Sequence, residues 1–286
     1  MRAKRYLFLG LIICLIAGCS LVKTSYNNAP ALIIFWLDDY FSFSQAQQAV
    51  LKPALQNLHL WHRQTQLPSY TALLQAIQSN LAKDKLSATE VCDNLAAIRS
   101  NIYTLQAESI PIIIEIAPLL SDKQLTRFQQ KLEKRAGKWK AEYWQETKQE
   151  QVAVRLEKTE DFAEDMYGDL NDAQLTILKQ SLANAPINPA ISYTEILRRN
   201  EDAFKILKAL QNTQLTLDEK TQLVKAGFAR MQKSPNQAYQ AHADKLTDYT
   251  CETMANLNNI SDAKQQLHAK NWLQDYVDQI TALQQK

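Results

Sequence analysis

One pattern recurs along this chain and restricts it to a helical fold: an apolar residue, a Ser, Thr or Asn, and often a Gln or Glu three positions later. This is a capping box preceded by the apolar residue of a hydrophobic staple, and it begins an α-helix. Apolar residues at three- and four-residue spacings follow each instance. We therefore predict an all-α, elongated multi-helix bundle. The predicted N-caps are Ser44, Ser87, Ser121, Asn171, Thr216 and Ser261, the last without the reciprocal acid.

The stretch from Ser121 to Met166 is predicted to form one long central helix, because it has no proline and only one glycine, Gly137. Such a helix would either project from the bundle or bend near the polar patch at 145–151. Three aromatic residues on it could form an exposed binding surface, but core packing is the expectation: Trp139, Tyr143 and Trp144.

Glycine is scarce, with only Gly137, Gly168 and Gly227 beyond residue 18. Phosphate-binding loops, dinucleotide fingerprints and nucleophile elbows need clustered glycines, so this composition argues against all three. Residues 1–18 hold three of the 32 Lys and Arg and none of the 30 Asp and Glu, which leaves the remainder with a net charge of −1. A nucleic-acid partner is therefore not expected, since such binding needs a basic face. No cofactor is indicated.

The first nineteen residues have the pattern of a bacterial lipoprotein signal. Basic residues precede an apolar run from Leu7 to Ile16 that is too short to span a bilayer, which needs about 20 residues. Ala-Gly then precedes Cys19. We predict a signal peptide over 1–18 and a lipid on Cys19, and Ser20 favours the outer membrane, facing the periplasm. An ordinary signal peptide or an uncleaved anchor is the alternative.

Beyond the signal, we expect a lipid-anchored segment over 19–42 and one helical domain over 43–286. A hinge is predicted at 184–190, which contains Pro186 and Pro189. The apolar run at 32–36 lies close to the anchor. We expect it to dock into the core, with insertion into the membrane interface as the alternative.

Two cysteines, Cys92 and Cys251, remain once Cys14 of the signal and Cys19 are set aside. Two thiols in an oxidising compartment usually pair, so a disulfide is predicted. The alternative is one reactive thiol and one buried thiol.

Few other residues suggest a catalytic or metal-binding role. His59 and His62 have a helical spacing that can hold a metal, with a third ligand from His242, His268 or a carboxylate, but polar-face histidines are common. Glu115 lies within an isoleucine-rich run, 110–116, which is predicted to be a kinked, buried helix. The adjacent Asp38 and Asp39 are expected to lie at a helix terminus. We predict no catalytic residue and no metal site.

Several segments resemble a family of proteobacterial lipoproteins that is catalogued only as a domain of unknown function. They are the residues at 26–30, 36–40, 61–70, 120–124, 166–170, 257–261 and 265–267, with both cysteines at family positions, so the resemblance covers essentially the whole chain beyond residue 18. The resemblance implies a lipoprotein without an activity to transfer. A weaker resemblance links this chain to Spy/CpxP-type periplasmic chaperones. The predicted helix starts at 120–124 and 170–174 are similar to the Leu-Thr-x-x-Gln helix starts of those proteins.

We therefore expect a non-enzymatic interaction or scaffold protein of the envelope, which binds an envelope protein partner through helical surfaces. A chaperone-like protein is the first alternative, and an enzyme acting on peptidoglycan or lipid is the second. An enzyme predicts a pocket where carboxylates and histidines converge, and a chaperone predicts an apolar groove. A scaffold predicts one compact patch.

Overall fold

The computed structural model describes residues 22–285, and within that range the regular elements are all helices and there is no strand. The predicted all-α bundle is confirmed. The predicted signal peptide over 1–18 and Cys19 lie outside the described residues. The α-helices are α1 (Ala29–Phe41), α2 (Gln45–Trp61), α3 (Leu67–Leu81), α4 (Ala88–Glu108), α5 (Ile110–Ile116), α6 (Asp122–Tyr143), α7 (Lys148–Tyr167), α8 (Asp172–Asn184), α9 (Pro189–Leu210), α10 (Leu217–Gln232), α11 (Gln237–Asn259) and α12 (Ala263–Gln284).

Five of the six predicted N-caps are confirmed, each with a complete capping box: Ser44, Ser87, Ser121, Asn171 and Thr216. The sixth prediction is wrong by one residue. Asp262 caps α12, and the Gln265 side chain reaches back to the Asp262 backbone. Ser261 is buried instead and donates to the carbonyl of Leu257 at 2.9 Å.

The prediction of one long helix from Ser121 to Met166 is wrong, and the alternative, a change of direction near the polar patch at 145–151, is confirmed. The helix α6 ends at Tyr143, and α7 begins at Lys148 behind a capping box formed by Thr147 and Glu150. The chain therefore breaks at the polar patch and folds back. Arg155 of α7 donates to the Tyr143 carbonyl of α6 at 3.4 Å, and Lys158 pairs with Glu142.

The continuous helical stretches lie earlier in the chain. Residues 45–81 run through α2, a π-helical segment (His62–Gln66) and α3. Pro68 has no N–H for the helical ladder, and just before it the Leu67 N–H bonds to the His62 carbonyl. The second stretch, Ala88–Leu119, is the one described helix that is long and apolar enough to cross a membrane. Ile110 and Ile114 of its α5 part lie in an interior cluster, which confirms a kinked, buried helix.

Two pairs of capping-box glutamines tie helix starts together. Gln47 and Gln124 exchange amide hydrogen bonds at 3.0 and 2.7 Å, which joins the starts of α2 and α6. Gln174 and Gln265 do the same at 2.9 and 2.8 Å, which joins α8 and α12. Each side chain therefore completes a local cap and also makes a tertiary contact.

Four apolar clusters fill the interior. The first gathers α1, α2, α5 and α6 around Leu51 and Leu125. The second joins α7, α8, α11 and α12 around Leu178. The third packs α5 against α9 and α10, and the fourth packs α4 against α11 beside Cys251. The second cluster forms the base of the candidate site.

Candidate functional site

An apolar groove of about 550 Å³ opens beside the second cluster. Its long walls are α7 and α11, and α8 packs against both of them as a floor. The floor helix spans 13 residues, whereas the walls span 20 and 23. Since α8 is the shortest of the three, it leaves space between its neighbours. Pro186 explains its end, because the residue before a proline is disfavoured in a helix.

The groove closes at one end through a buried contact. Tyr167 near the end of α7 donates its hydroxyl to Oδ1 of Asn258 near the end of α11, at 3.1 Å. Met166, Leu178 and Leu257 surround this end, so it is apolar. Burial raises the pKa of the Tyr167 hydroxyl, which therefore stays protonated.

The threonines of the groove are satisfied within their own helices. Thr159, Thr250 and Thr253 each donate to the carbonyl four residues earlier, all at 2.8 Å. Their hydroxyls therefore leave the apolar character of the walls intact.

Arg155 supplies a positive charge to the groove. Its side chain is half-buried, donates to the Gln151 carbonyl at 2.7 Å and lies 5.3 Å from the centre of the Tyr143 ring. Burial lowers the pKa of its guanidinium, which the Tyr143 hydroxyl partly offsets. Arginine nevertheless remains cationic in proteins. No carboxylate among residues 22–285 forms an ion pair with it; the neighbouring Lys158, by contrast, pairs with Glu142.

His242 also lines the groove, and it is 8% exposed. Its Nε2 atom has no hydrogen-bond partner within the described chain. Burial lowers the pKa of the imidazole, so the ring is neutral at pH 7. The helices α7 and α11 meet at Tyr167 and Asn258. Arg155 and His242 lie well before these two residues on the same helices, so both are toward the opposite end of the groove. The sequence indicates His242 only as a candidate metal ligand.

The expectation that the aromatic residues of α6 pack in the core is wrong. Trp139 and Tyr143 are half-buried and line the groove near Arg155, and Trp144 is exposed. No helix covers this face completely. Tyr193 of α9 lies 6.3 Å from Trp139 and 5.7 Å from Trp144 between ring centres.

The predicted histidine pair lies in a different place. His62 accepts or donates hydrogen bonds with the hydroxyls of Tyr26 at 2.9 Å and Tyr70 at 3.2 Å, and His59 packs on Tyr26 at 4.6 Å between rings. Burial lowers the pKa of the His62 ring, with a smaller contribution from His59. Arg63, beside it, donates to the Leu283 carbonyl at the end of α12 and to Asn27. This cluster fastens the segment before α1 to the bundle.

The proposed third ligands do not join that pair. His242 lies in the groove, and His268 Nδ1 is 3.0 Å from the Met166 carbonyl. Within residues 22–285, no three His, Cys, Asp or Glu side chains are placed to hold a metal ion.

The other candidate carboxylates are separated. Glu115 is exposed and away from the groove. Asp38 accepts from the Phe43 backbone N–H at 2.8 Å and so closes the end of α1, whereas Asp39 faces Lys131 of α6. The helix-terminus interpretation of the two aspartates is confirmed.

The predicted disulfide is confirmed. Cys92 of α4 and Cys251 of α11 are bonded, with their Cα atoms 5.4 Å apart. Cys251 is fully buried in the fourth cluster. The bond fixes α11, one wall of the groove, to α4.

The expectation that the apolar run of α1 docks into the core is mostly wrong. Only Ile34 of this run packs on the first cluster. Phe35 is 79% exposed and Trp36 is 55% exposed, and Leu32 and Ile33 are exposed as well. One face of a single helix can bury only part of a continuous apolar run, and the rest of this run faces outward.

A buried ion network stands beside the groove-lining part of α9. Glu195 is 1% exposed and accepts hydrogen bonds of 2.7 to 2.9 Å from Arg198, Arg199 and Ser234. Burial acts to raise the pKa of its carboxyl, but these hydrogen bonds outweigh burial and hold the pKa at about 2. Arg230 completes the network with a bidentate bond to Asp202. The network joins α9 to α10 and to the loop before α11.

The fold and the groove together define an all-helical protein with an open apolar site that bears one cation. The chain belongs to DUF6279, a family of unknown function, whose model matches residues 39–225. That range includes α7 and α8 of the groove and ends before α11. This agrees with the resemblance to a family of unknown function over these residues. Neither a curated protein nor a solved structure matches the chain.

Proposed function

We propose that this protein is a lipid-anchored, non-enzymatic binding protein of the bacterial outer membrane, facing the periplasm, and that the groove is its binding site. The observation that carries the proposal is the groove itself: an open cavity of about 550 Å³ with predominantly apolar walls. Pockets of this size and character typically bind small molecules or apolar side chains. No Asp or Glu is among the described residues that line it.

The anchor is supported from both sides of Cys19. The residues before it have the lipoprotein signal pattern. After it, the exposed Leu32, Phe35 and Trp36 lie at helical spacing on α1, which is typical of a surface that contacts lipid. Aromatic rings favour the membrane interface.

Metabolic labelling tests the anchor. Cells that express the full chain should incorporate labelled palmitate into the wild type and not into Cys19→Ala, and the labelled protein should fractionate with the outer membrane. Equal labelling of both chains would refute the lipid on Cys19.

Crosslinking in cells tests the groove. A photoreactive benzoylphenylalanine at Thr250, an exposed residue that lines the groove, should form adducts. The same side chain at Asp248, an exposed residue of the same helix that does not line the groove, is the matched control. Adducts at Thr250 that are no more abundant than those at Asp248, or no adducts at Thr250, would overturn the proposal.

The groove also favours a second candidate, a chaperone-like protein, because an apolar groove accommodates exposed apolar segments of unfolded chains. The same experiment separates the two. A heterogeneous ladder of crosslinked polypeptides at Thr250 would support the chaperone. Adducts that change the mass by a small-molecule amount would support a binding protein for small apolar ligands.

A further inference from the structure

The groove has two ends of different chemistry. Met166, Leu178 and Leu257 make one end apolar, and Arg155 and His242 stand toward the other. Along α7, Arg155 and Met166 are separated by about 16 Å at 1.5 Å per residue. A ligand that matches this groove is therefore long and apolar, with a polar group at one end.

The charge of that polar group follows from Arg155. A partly buried cation normally has an anion beside it, because removing a charge from water is costly. The Arg155 guanidinium has five N–H donors, and within residues 22–285 its hydrogen bonds go only to the carbonyls of Gln151 and Tyr143. No carboxylate of the described chain compensates it. The missing anion is therefore expected from a ligand.

His242 supplies an independent observation. The residue is 8% exposed, and its Nε2 atom is buried and has no hydrogen-bond partner within residues 22–285. An unsatisfied buried nitrogen is destabilising, so binding of a ligand atom that bonds to it is favoured. In the tautomer with hydrogen on Nε2, the ring donates to an anionic oxygen.

The number of cations favours a carboxylate over a phosphate. One guanidinium forms a bidentate pair with one carboxylate. The nearest other cation on α7, Lys158, already pairs with Glu142. Lys140 of α6 lies over the exposed ring of Trp144, at 4.9 Å, and is not among the groove residues. A phosphate monoester would leave its second charge without a partner.

We propose that the groove binds a fatty acid, with its carboxylate on Arg155 and His242 and its acyl chain extending toward Met166 and Leu257. This inference rests on the groove being the binding site. It names the ligand class, which the proposed function leaves open.

The test uses the purified full-chain lipoprotein in phosphatidylcholine nanodiscs, with two photoreactive probes of equal chain length: a diazirine fatty acid and the corresponding neutral fatty alcohol. The acid should label peptides of α7, α8 and α11, and unlabelled laurate should compete. The alcohol should label these peptides much more weakly.

Variants at Arg155 separate charge from shape. Arg155→Gln should reduce labelling by the acid by about tenfold or more, because a charge-assisted bidentate bond is lost. Arg155→Lys keeps the charge and should retain a substantial part of the labelling. Lys158→Gln, one turn away and exposed, is the matched control and should label as the wild type does.

Three results would overturn the inference, and two of them leave the proposed function standing. Equal labelling by acid and alcohol, unchanged in Arg155→Gln, would mean that the groove binds apolar chains without recognising an anion. Stronger competition by lysophosphatidic acid than by laurate would assign the site to a phosphate. If neither probe labels the groove and Thr250 forms no adducts, both the fatty-acid inference and the proposed function are overturned.

Discussion

Replacing Glu195 by glutamine removes one buried negative charge, and the structure determines the size of the expected effect. The carboxyl has a pKa of about 2 in the folded chain, compared with an ordinary value of 4.5. At about 1.4 kcal/mol per pKa unit, this preference for the charged form corresponds to about 3 kcal/mol of stability at pH 7. Glutamine also leaves Arg199 without its carboxylate, whereas Arg198 keeps Asp202 at 3.5 Å. Breaking a fully buried pair typically costs about 3–5 kcal/mol, and this is an upper limit here because the Arg198 and Arg199 side chains are partly exposed.

The pH dependence gives the sign of the effect. A carboxyl whose pKa is lowered by folding contributes stability that is fully present above the unfolded pKa and is lost as the pH falls toward the folded pKa. For Glu195 this window runs from about 4.5 down to about 2. The wild type should therefore exceed Glu195→Gln by about 3 kcal/mol at neutral pH, and the difference should shrink through that window.

Urea unfolding at a series of pH values measures this difference directly. Glu201→Gln is the matched control, because Glu201 lies on the same helix, is exposed, and pairs with Lys205 at 2.7 Å. An exposed pair of this kind contributes less than about 0.5 kcal/mol. A loss below about 1 kcal/mol in Glu195→Gln, or a loss that does not vary between pH 5 and pH 2, would refute the reasoning.

Two further effects follow from single contacts. Replacing Cys92 and Cys251 together by serine should lower the free energy of unfolding by about 3–5 kcal/mol in the chain-entropy model, and alkylation before reduction should find neither thiol free. Thiols that alkylate without reductant would contradict the bond. Gly137→Ala should raise stability by about 0.5–1 kcal/mol, because it is inside α6 with open space around a new Cβ. Gly227→Ala should gain less or lose stability, since its Cβ would come within 2.2 Å of Ile206 Cδ1; equal gains in thermal unfolding would refute this.

Helix starts could be predicted from sequence because a cap depends on residues only three positions apart. The errors have local causes too. Ser261 and Asp262 are adjacent cap formers, and the reciprocal Gln265 decides between them by its distance from Asp262. The sequence pattern does not reveal Thr147 because the acidic Glu146 precedes it, so this capping box lacks the apolar staple residue that marks the others.

The groove could not be predicted in the same way, because it depends on which helices meet. Trp139 and Tyr143 have the spacing of a core stripe, and nothing within α6 indicates that the face stays partly uncovered. The sequence shows that a helix must end near Pro186. Whether this end leaves a groove depends on the lengths of α7 and α11, which lie beside α8. His242 becomes notable only once its burial against these helices is known.

The residue three positions after the N-cap, glutamine or glutamate, indicates whether a capping box also contacts another helix. The boxes with glutamine at this position pair across helices, Gln47 with Gln124 and Gln174 with Gln265. The boxes with glutamate there make their cap bonds at the surface: Glu90, Glu150 and Glu219. The difference is chemical, since an amide both accepts from its own cap and donates to a partner, while a carboxylate only accepts and is costly to bury. Glutamine at this position therefore indicates a helix start that joins another, and glutamate indicates one that stays in solvent.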